Sequence, residues 1–598
     1  MITETGLLQI GLYLFILAAL VKPLGWYMAR VYQGHFSGID RVGQTLERML
    51  YRVGRVNPKQ GMDWKQYLCA MLAFNVLGLI AVYVIQRLQL YLPFNPQHLP
   101  APTPALAFNT SVSFTTNTNW QAYSGETTLS YATQMLALTT QNFLSAATGM
   151  SLLIAMIRGF VGNEQRNLGN FWVDTVRGII YILLPLSIIF SLVLVSQGVI
   201  QNVKPNQFIS LPQLTSYQKQ DSDVNGLPKT DILEAHQQTI PMGPVASQVA
   251  IAQLGTNGGG FFNVNSAHPF ANPTPITNLL ELLAILLIPA ALCYTFGVMI
   301  NDKRQGWAIL AAMTLIFIPF VGVAVMAEQQ GNPAFTQMGI EQSAIESRYP
   351  GGNMEGKETR FGIVSSALWA TATTAASNGS VNSMHDSYTP LGGLIPLWMM
   401  HLGEVIYGGV GSGLSGMLML IIITVFVAGL MVGRTPEYLG KKIEPYEMKM
   451  ASIAVLVMPL IVLLFTAISA VTRYGTSSIF NPGAHGLTEI FYAFTSMGNN
   501  NGSAFAGLQA NTLFYNVLGG MTMLIGRYWI AIPILAIAGS LAQKKIIPRN
   551  AGTLATHTPL FIILLMGVTL ILGALSFLPA LSLGPIAEQL MLWGQYEH

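Results

Sequence analysis

Hydrophobic residues in this chain gather into long unbroken stretches instead of alternating with polar ones. Apolar runs of about 20 residues, the length a helix needs to cross a hydrocarbon core, occupy 6–28, 67–88, 131–158, 172–197, 276–299, 306–326, 391–433, 450–472, 511–541 and 559–580. The pattern predicts an all-α membrane protein with ten transmembrane helices. The run at 391–433 is too long for one straight crossing and is interrupted by Gly408-Gly409-Val410-Gly411-Ser412-Gly413. It reads as a single helix broken inside the membrane, with two separate crossings as the alternative.

The polar connectors repeat as well. Spans 67–88 and 131–158 enclose Thr115-Thr116-Asn117-Thr118-Asn119-Trp120-Gln121, and spans 172–197 and 276–299 enclose Gly255-Thr256-Asn257-Gly258-Gly259-Gly260-Phe261-Phe262-Asn263. Ala376-Ser377-Asn378-Gly379-Ser380-Val381-Asn382 lies between 306–326 and 391–433, and Gly498-Asn499-Asn500-Asn501-Gly502-Ser503-Ala504-Phe505 between 450–472 and 511–541. Four helix–loop–helix units result, at 67–160, 161–300, 301–440 (with the broken helix) and 441–545. They are flanked by 1–66, holding the first helix and an inner connector, and by 546–598, holding the last helix and an outer C-terminal segment.

Irregular backbone at membrane depth is tolerated only where protein shields it or where it lines a water-filled path. Four such stretches arriving from one face predict a ring. Glycine admits positive φ and lets carbonyls turn to a common axis, while Asn, Gln and Thr add neutral side-chain oxygens. Such a ring can replace the hydration shell of a large monovalent cation without the strong field that a divalent ion requires. Read singly, each stretch is also compatible with an ordinary polar turn at a membrane surface; their recurrence at matched positions favours the ring.

Composition and charge sharpen this picture. The 29 Lys+Arg and 26 Asp+Glu make up 9% of the 598 residues, with 52% hydrophobic, against roughly 25% charged in soluble domains. That excludes a soluble enzyme and a disordered chain, and a dispersed net charge of +3 gives no nucleic-acid-binding face. Cys69 and Cys293 each sit inside an apolar run, leaving no disulfide framework or Cys-based metal site. Basic residues alternate with the spans: Arg30, Arg41, Arg48, Arg52, Arg55, Lys59 and Lys65 fill 29–66, whereas 89–130 holds no Lys or Arg. Arg158 and Arg166, Lys303 and Arg304, Arg434, Lys441, Lys442 and Lys449, then Lys544, Lys545 and Arg549 keep the phase. The positive-inside rule makes that side cytoplasmic and both termini external. With no basic residue before it, the first span reads as a retained helix, not a cleaved signal.

Charges inside spans are costly and invite a functional reading. Arg527 lies mid-span on the inner side of the fourth polar stretch; it either pairs with a buried carboxylate or sets a fixed positive charge that blocks leakage to the cytoplasm. Glu404 precedes the Gly-rich break, where unpaired carbonyls border an ion path, and Arg434 ends that span, where a basic residue is also the topological norm. Gly411-Ser412-Gly413-Leu414-Ser415-Gly416 fits G-x-G-x-x-G but lacks the strand–helix context of a dinucleotide site. His385-Asp386 and His268 have no further ligands at useful spacing and read as hydrogen-bonding residues near the loops. A reading from another class is an intramembrane enzyme using His385, Asp386 and Glu404. No G-x-x-x-x-G-K-[ST] or Asp-Lys-Thr-Gly segment occurs, and the longest inner connector is about 38 residues. The chain is therefore not expected to hydrolyse ATP, and active transport would need a partner.

Asn117-Thr118-Asn119-Trp120-Gln121, Gly255 through Asn263 with Ser266-Ala267-His268-Pro269-Phe270, Val381-Asn382-Ser383-Met384-His385-Asp386-Ser387 and Asn499 through Gly507 resemble the pore loops of the KdpA family, the potassium-binding subunit of the bacterial Kdp potassium-transporting ATPase. The resemblance covers nearly the whole chain. It implies four membrane–pore-loop–membrane repeats of the potassium-channel-like (SKT superfamily) type in a bacterial inner membrane. It implies potassium capture outside and passage through an intramembrane tunnel to a P-type ATPase subunit, with no nucleotide on this chain. Implied partners are a catalytic KdpB-like subunit, a single-span periplasmic KdpC-like subunit and a small KdpF-like peptide. The family's filter contacts carry over to Asn117, Thr118 and Gln121; Thr256, Asn257 and Gly258; Ser377, Asn378 and Gly379; and Asn500, Asn501 and Gly502. Glu404, Arg434 and Arg527 carry over as charges tied to the tunnel and its coupling. Asn378 stands where some members carry Cys, which bears on affinity, and the outer loop at 198–243 is longer than usual for the family. A stand-alone Trk/Ktr-type transporter or channel shares the repeat plan and is the alternative.

Overall fold

The computed structural model describes residues 4–35, 41–222, 228–343, 351–548 and 553–594. Among these, ten helices are long and apolar enough to cross a membrane. Helix α1 (Glu4–Gln33) leads through the short α2 (Arg41–Val53) to the first repeat: α3 (Trp64–Arg87), α4 (Pro104–Thr115) and α5 (Thr133–Val161). The second repeat is α6 (Phe171–Ser196), a β-hairpin of β1 (Gln207–Ser222) and β2 (Pro228–Ile240), α7 (Val245–Leu254) and α8 (Pro275–Met299). The third contains α9 (Lys303–Gln329), α10 (Gly362–Ala375), α11 (Pro390–His401) and α12 (Ser412–Val432). After the two-residue strands β3 (Glu437–Tyr438) and β4 (Lys441–Lys442), the fourth contains α13 (Pro445–Val471), α14 (Ala484–Asn499) and α15 (Leu513–Gln543). Helices α16 (Pro559–Leu583) and α17 (Pro585–Gly594) close the chain.

The helices pack as lipid-embedded helices do, through small residues that let backbones approach. A Cβ on Gly25 of α1 would fall 2.5 Å from the Ala291 carbonyl oxygen of α8, and Thr295 Oγ1 donates to the Gly25 carbonyl at 2.9 Å. Helix α8 is buried almost throughout its length, whereas α3 leaves Val76, Leu77 and Ile80 exposed at its perimeter. Polar ties collect at the helix ends. Arg158 pairs with Asp174 at 2.6 Å, and Lys544 with Glu447 at 2.6 Å. On the opposite side Lys357 pairs with Glu328 at 2.6 Å, both side chains fully buried. Glu328 also accepts from Thr389 N at 2.9 Å and Thr389 Oγ1 at 2.7 Å, so this pair is satisfied as a buried ion pair must be.

The run at 391–433 resolves into two helical halves. At 1.5 Å per residue α11 is about 18 Å long, too short to cross, whereas α12 is about 31 Å. Only α12 is long enough to cross, so the run holds one crossing helix preceded by a short helix, with irregular chain at 402–411 between them. The hairpin is a departure from an all-helical chain: β1 and β2 pair antiparallel from Gln207↔Ile240 to Ser222↔Pro228, with a register shift between Ser210 and Thr215. It occupies the connector at 198–243, and Phe208, Ile209 and Leu214 stand exposed on it.

Candidate functional site

Each repeat sends one short helix partway in and brings the chain back as an irregular loop. Helices α4, α7, α10 and α14 end at Thr115, Leu254, Ala375 and Asn499, immediately before the four polar stretches. A helix C-terminus exposes unpaired carbonyls equivalent to roughly −0.5 charge. Four of them aimed at the same loops favour a cation there without any ionisable side chain, and 116–121, 255–260, 376–381 and 499–503 contain none.

The loops share one backbone device. Positive φ recurs at Asn117 (67°) and Asn119 (51°), at Thr256 (46°) and Gly258 (69°), at Ser377 (53°) and Gly379 (85°), and at Asn500 (58°) and Gly502 (109°). Alternating left-handed residues with ordinary ones turns successive carbonyls toward the same side of the chain. The triplets 117–119, 256–258, 377–379 and 500–502 are therefore in one register. Asn119, which is not among the positions that the family resemblance carries over, is the counterpart of Gly258, Gly379 and Gly502. The signal was available in the parallel triplets Asn-Thr-Asn, Thr-Asn-Gly, Ser-Asn-Gly and Asn-Asn-Gly.

Contacts between the loops close a ring. Asn117 Nδ2 donates to the Thr256 carbonyl and Asn119 Nδ2 to the Gly258 carbonyl, each at 2.9 Å, while Gln121 and the Gly260 backbone bond each other twice at 3.0 Å. From the third loop, Asn378 Nδ2 reaches the Ala252 carbonyl at 3.1 Å, and Ser377 Oγ donates to the Asn500 carbonyl at 3.0 Å. Asn501 Nδ2 donates to the Thr373 carbonyl, and Asn500 Nδ2 to Thr118 Oγ1, both at 3.0 Å. The glycines allow this proximity. Cβ atoms on Gly258, Gly379 and Gly502 would lie 1.7, 2.2 and 2.1 Å from the carbonyl oxygens of Asn378, Asn501 and Thr118 respectively.

The middle residue of each triplet braces the ring. Asn378 Oδ1 accepts from Thr373 Oγ1 at 3.1 Å and from Ser380 N at 3.0 Å while its amide reaches α7, so its hydrogen-bonding capacity is used in joining loops two and three. Asn501 repeats the arrangement with Ser503 N at 3.0 Å. Asn257 Nδ2 donates to Asn117 Oδ1 at 2.5 Å and to Ser145 Oγ at 3.0 Å. Ser145 is a support that no sequence pattern had flagged.

Helix α12 begins directly beneath the ring. Gly408 N donates to the Ala375 carbonyl at the end of α10 at 2.8 Å, and Val410 N donates to Thr256 Oγ1 at 2.9 Å. A Cβ on Gly411 would lie 2.1 Å from the Gly149 carbonyl oxygen, so only glycine fits where the break crosses α5. The break leaves a cavity of about 130 Å³ lined by Ser377, Glu404, Asn499, Asn500 and Arg527 among others. Glu404 is 4% exposed, and its carboxylate lies beside the side chains of Ser377 and Asn501. Arg527 forms no ion pair among the described residues, so of its two sequence readings the structure does not supply the buried carboxylate. Arg434 is not brought to this cavity. It follows the far end of α12, about 31 Å away along the helix, and lines a separate shallow pocket with Glu437.

On the side of the ring away from Glu404 the fold gathers what the sequence had left scattered. His385 Nδ1 lies 3.0 Å from Tyr492 OH, which lies 2.9 Å from Ser503 Oγ, which donates to Asn501 Oδ1 at 2.6 Å. His385 thus supports the fourth loop, while Glu404 lies below the ring; the two do not share a site. Asp386, His485 and Glu489 come within 4.8 Å of one another, a grouping invisible in the spacing of His385-Asp386. His485 bridges Asp386 at 2.9 Å and Glu588 at 2.8 Å. Burial opposes its protonation, but these two carboxylates outweigh burial and push its pKa up to about 10. Its geometry is that of a charged clamp between carboxylates. His268 stacks on Phe262 at 3.7 Å and accepts from Phe270 N at 3.1 Å; burial, with the nearby Arg360 charge, lowers its pKa to about 4.

Residues 11–590 match the model of the family described as KdpA, potassium-transporting ATPase A subunit. The potassium-transporting ATPase potassium-binding subunit of Methylococcus capsulatus (strain Bath) is 61% identical, covering 99% of this chain and 100% of its own. The proteins of that name from Herpetosiphon aurantiacus and Sorangium cellulosum are 59% and 60% identical, each covering 98% of this chain and 99% of its own. The crystal structure of the potassium transporter TrkH from Vibrio parahaemolyticus aligns with a TM-score of 0.49 at 13% identity, over 86% of this chain and 96% of that one.

Proposed function

The chain belongs to the KdpA family of potassium-transporting ATPase A subunits, multi-pass membrane proteins of potassium transport, and from that premise we propose that its four-loop ring is the potassium filter. Potassium enters from outside, sheds water against the carbonyls of the triplets at 117–119, 256–258, 377–379 and 500–502, and leaves the ring inward toward Glu404. The observation that carries this reading is the closed, register-matched ring of uncharged oxygens at the C-termini of four helices. Neutral carbonyls spaced by fixed hydrogen bonds replace the hydration of a monovalent cation and offer too weak a field to dehydrate a divalent one.

Below the ring, the Gly-rich break and the Arg527 charge obstruct the straight route to the cytoplasm. The cavity beside Glu404 leads sideways toward a catalytic P-type subunit of the KdpB kind, on which ATP is hydrolysed. A single-span KdpC-like subunit and a small KdpF-like peptide complete the complex in a bacterial inner membrane, with both termini of this chain outside. Arg434 at the inner end of α12 marks the cytoplasmic face in this arrangement.

The test is potassium-stimulated ATP hydrolysis by the reconstituted complex, with Gly258→Asp beside the wild type. The filter reading expects a raised half-saturating potassium concentration and poorer discrimination against sodium. Unchanged values in a properly assembled variant would overturn it. Potassium uptake by this chain alone in vesicles would instead favour a stand-alone transporter.

A further inference from the structure

Helix α2 lies outside the four repeats and carries a pattern unlike theirs. Its sequence divides into three sectors at the helical step of about 100° per residue. One sector is fastened to the protein: Glu47, 6% exposed, accepts from Arg177 Nε at 3.1 Å, Tyr181 OH at 2.8 Å and Tyr51 OH at 2.6 Å, and a Cβ on Gly43 would lie 2.4 Å from the Tyr181 ring. The second sector is an uncovered apolar stripe of Leu46, Met49, Leu50 and Val53, exposed by 45, 62, 48 and 74%. The third is basic: Arg48 and Arg52, with Arg55 just past the helix end, are exposed and form no ion pair among the described residues.

The attachment fixes the depth of the helix. Tyr181 lies about 15 Å along the membrane-crossing helix α6 from its first residue Phe171. Long helical side chains lean back toward the helix N-terminus, so Arg177 and Tyr181, in the second and third turns of α6, carry their polar atoms toward its inner end and hold α2 beside the inner boundary of the hydrocarbon layer. An apolar stripe there meets acyl chains, and an adjoining arginine sector meets phosphates. This layering matches the two sectors of a helix lying in a membrane interface.

We propose that α2 is an interfacial anchor in which Leu46, Met49, Leu50 and Val53 enter the acyl region of the inner leaflet while Arg48, Arg52 and Arg55 hold the phosphates of anionic lipids. Through Glu47 the anchored helix braces the inner end of α6, the first helix of the second repeat. The assignment rests on the membrane orientation proposed above and is independent of what the ring selects.

The experiment uses the full chain in lipid nanodiscs, with Cys69→Ser removing the exposed native thiol. A bimane fluorophore is placed in turn at Met49→Cys, at Arg52→Cys and, as a lipid-facing control on α3, at Leu77→Cys. Lipids brominated on their acyl chains are expected to quench the Met49 site about as strongly as the Leu77 site and at least about twofold more than the Arg52 site. An unquenched Met49 site beside a quenched Leu77 site overturns the proposal, because water or a protein partner then covers the stripe. An unquenched Leu77 site would instead refute the membrane placement itself. In a second arm, replacing Arg48, Arg52 and Arg55 with Gln should lower the enrichment of phosphatidylglycerol over phosphatidylcholine in lipid retained by the chain, by about fivefold for each arginine. Unchanged enrichment overturns the phosphate contact.

Discussion

Replacing Gly379 with Ala tests the ring where the third loop meets the backbone of the fourth. Gly379 has φ 85°, and an added Cβ would sit 2.2 Å from the Asn501 carbonyl oxygen and 2.7 Å from both the Asn501 carbonyl carbon and Gly502 Cα. All three atoms are backbone of the neighbouring loop, so no side chain can swing aside. Ordinary van der Waals contact begins near 3.4 Å, which requires the third and fourth loops to part by about 1 Å. The left-handed backbone adds roughly 1–2 kcal/mol for a residue with a Cβ. If about 1.5–3 kcal/mol of this appears as lost cation coordination, the half-saturating potassium concentration rises by roughly 10- to 100-fold. The assay is potassium-stimulated ATP hydrolysis of the reconstituted complex across a potassium titration. Gly339→Ala is the control: φ there is 79° but nothing lies within 4 Å of the added Cβ, so strain is present without a displaced loop. Potassium dependence should be unchanged in the control. A Gly379→Ala protein that assembles and keeps the wild-type half-saturating concentration would refute the argument from loop contact.

Three further outcomes follow from the same geometry. Glu404→Gln removes a buried carboxylate that lines the cavity, so maximal transport rate should fall while half-saturating potassium moves by less than about twofold; equal rates in both proteins would remove Glu404 from the path. Arg527→Ala leaves the cavity without its fixed positive charge, and potassium flux through proteoliposomes without ATP should rise; a tight variant with normal coupled transport would dismiss the barrier. His485 has a folded-state pKa raised to about 10, above an unfolded value of about 6.5. Its contribution is present in full below about pH 6.5 and is lost progressively as pH rises to about 10. Thermal unfolding of the wild type should therefore shift to lower temperature across that window, and His485→Gln should flatten the slope.

The sequence by itself determined the membrane class, the number of crossings and the location of the loops. Those properties are written in local runs: 20-residue apolar stretches have one physical outcome in lipid, and polar stretches such as Gly255–Gly260 announce an irregular backbone wherever they fall. Even the break in 391–433 was legible, because Gly408, Gly411 and Gly413 stand together in a run too long to be one helix. Which residue answers which was another matter. The family resemblance carried over Gln121 and not Asn119; the parallel triplets hinted at the register, and shared positive φ with the bond from Asn119 to Gly258 sets the first loop in line with the others. The brace through Asn378 depends on Ala252, 126 residues away, and the clamp of His485 on Asp386 and Glu588 spans 99 and 103. Arg434 looked equal to Glu404 and Arg527 as a charge bordering a span, yet only the latter two meet at the cavity. Membrane insertion depends on the hydrophobicity of one segment at a time, so sequence suffices for it. A binding ring depends on atoms from four distant loops meeting to within a fraction of an ångström, and only the packing of the surrounding helices decides that.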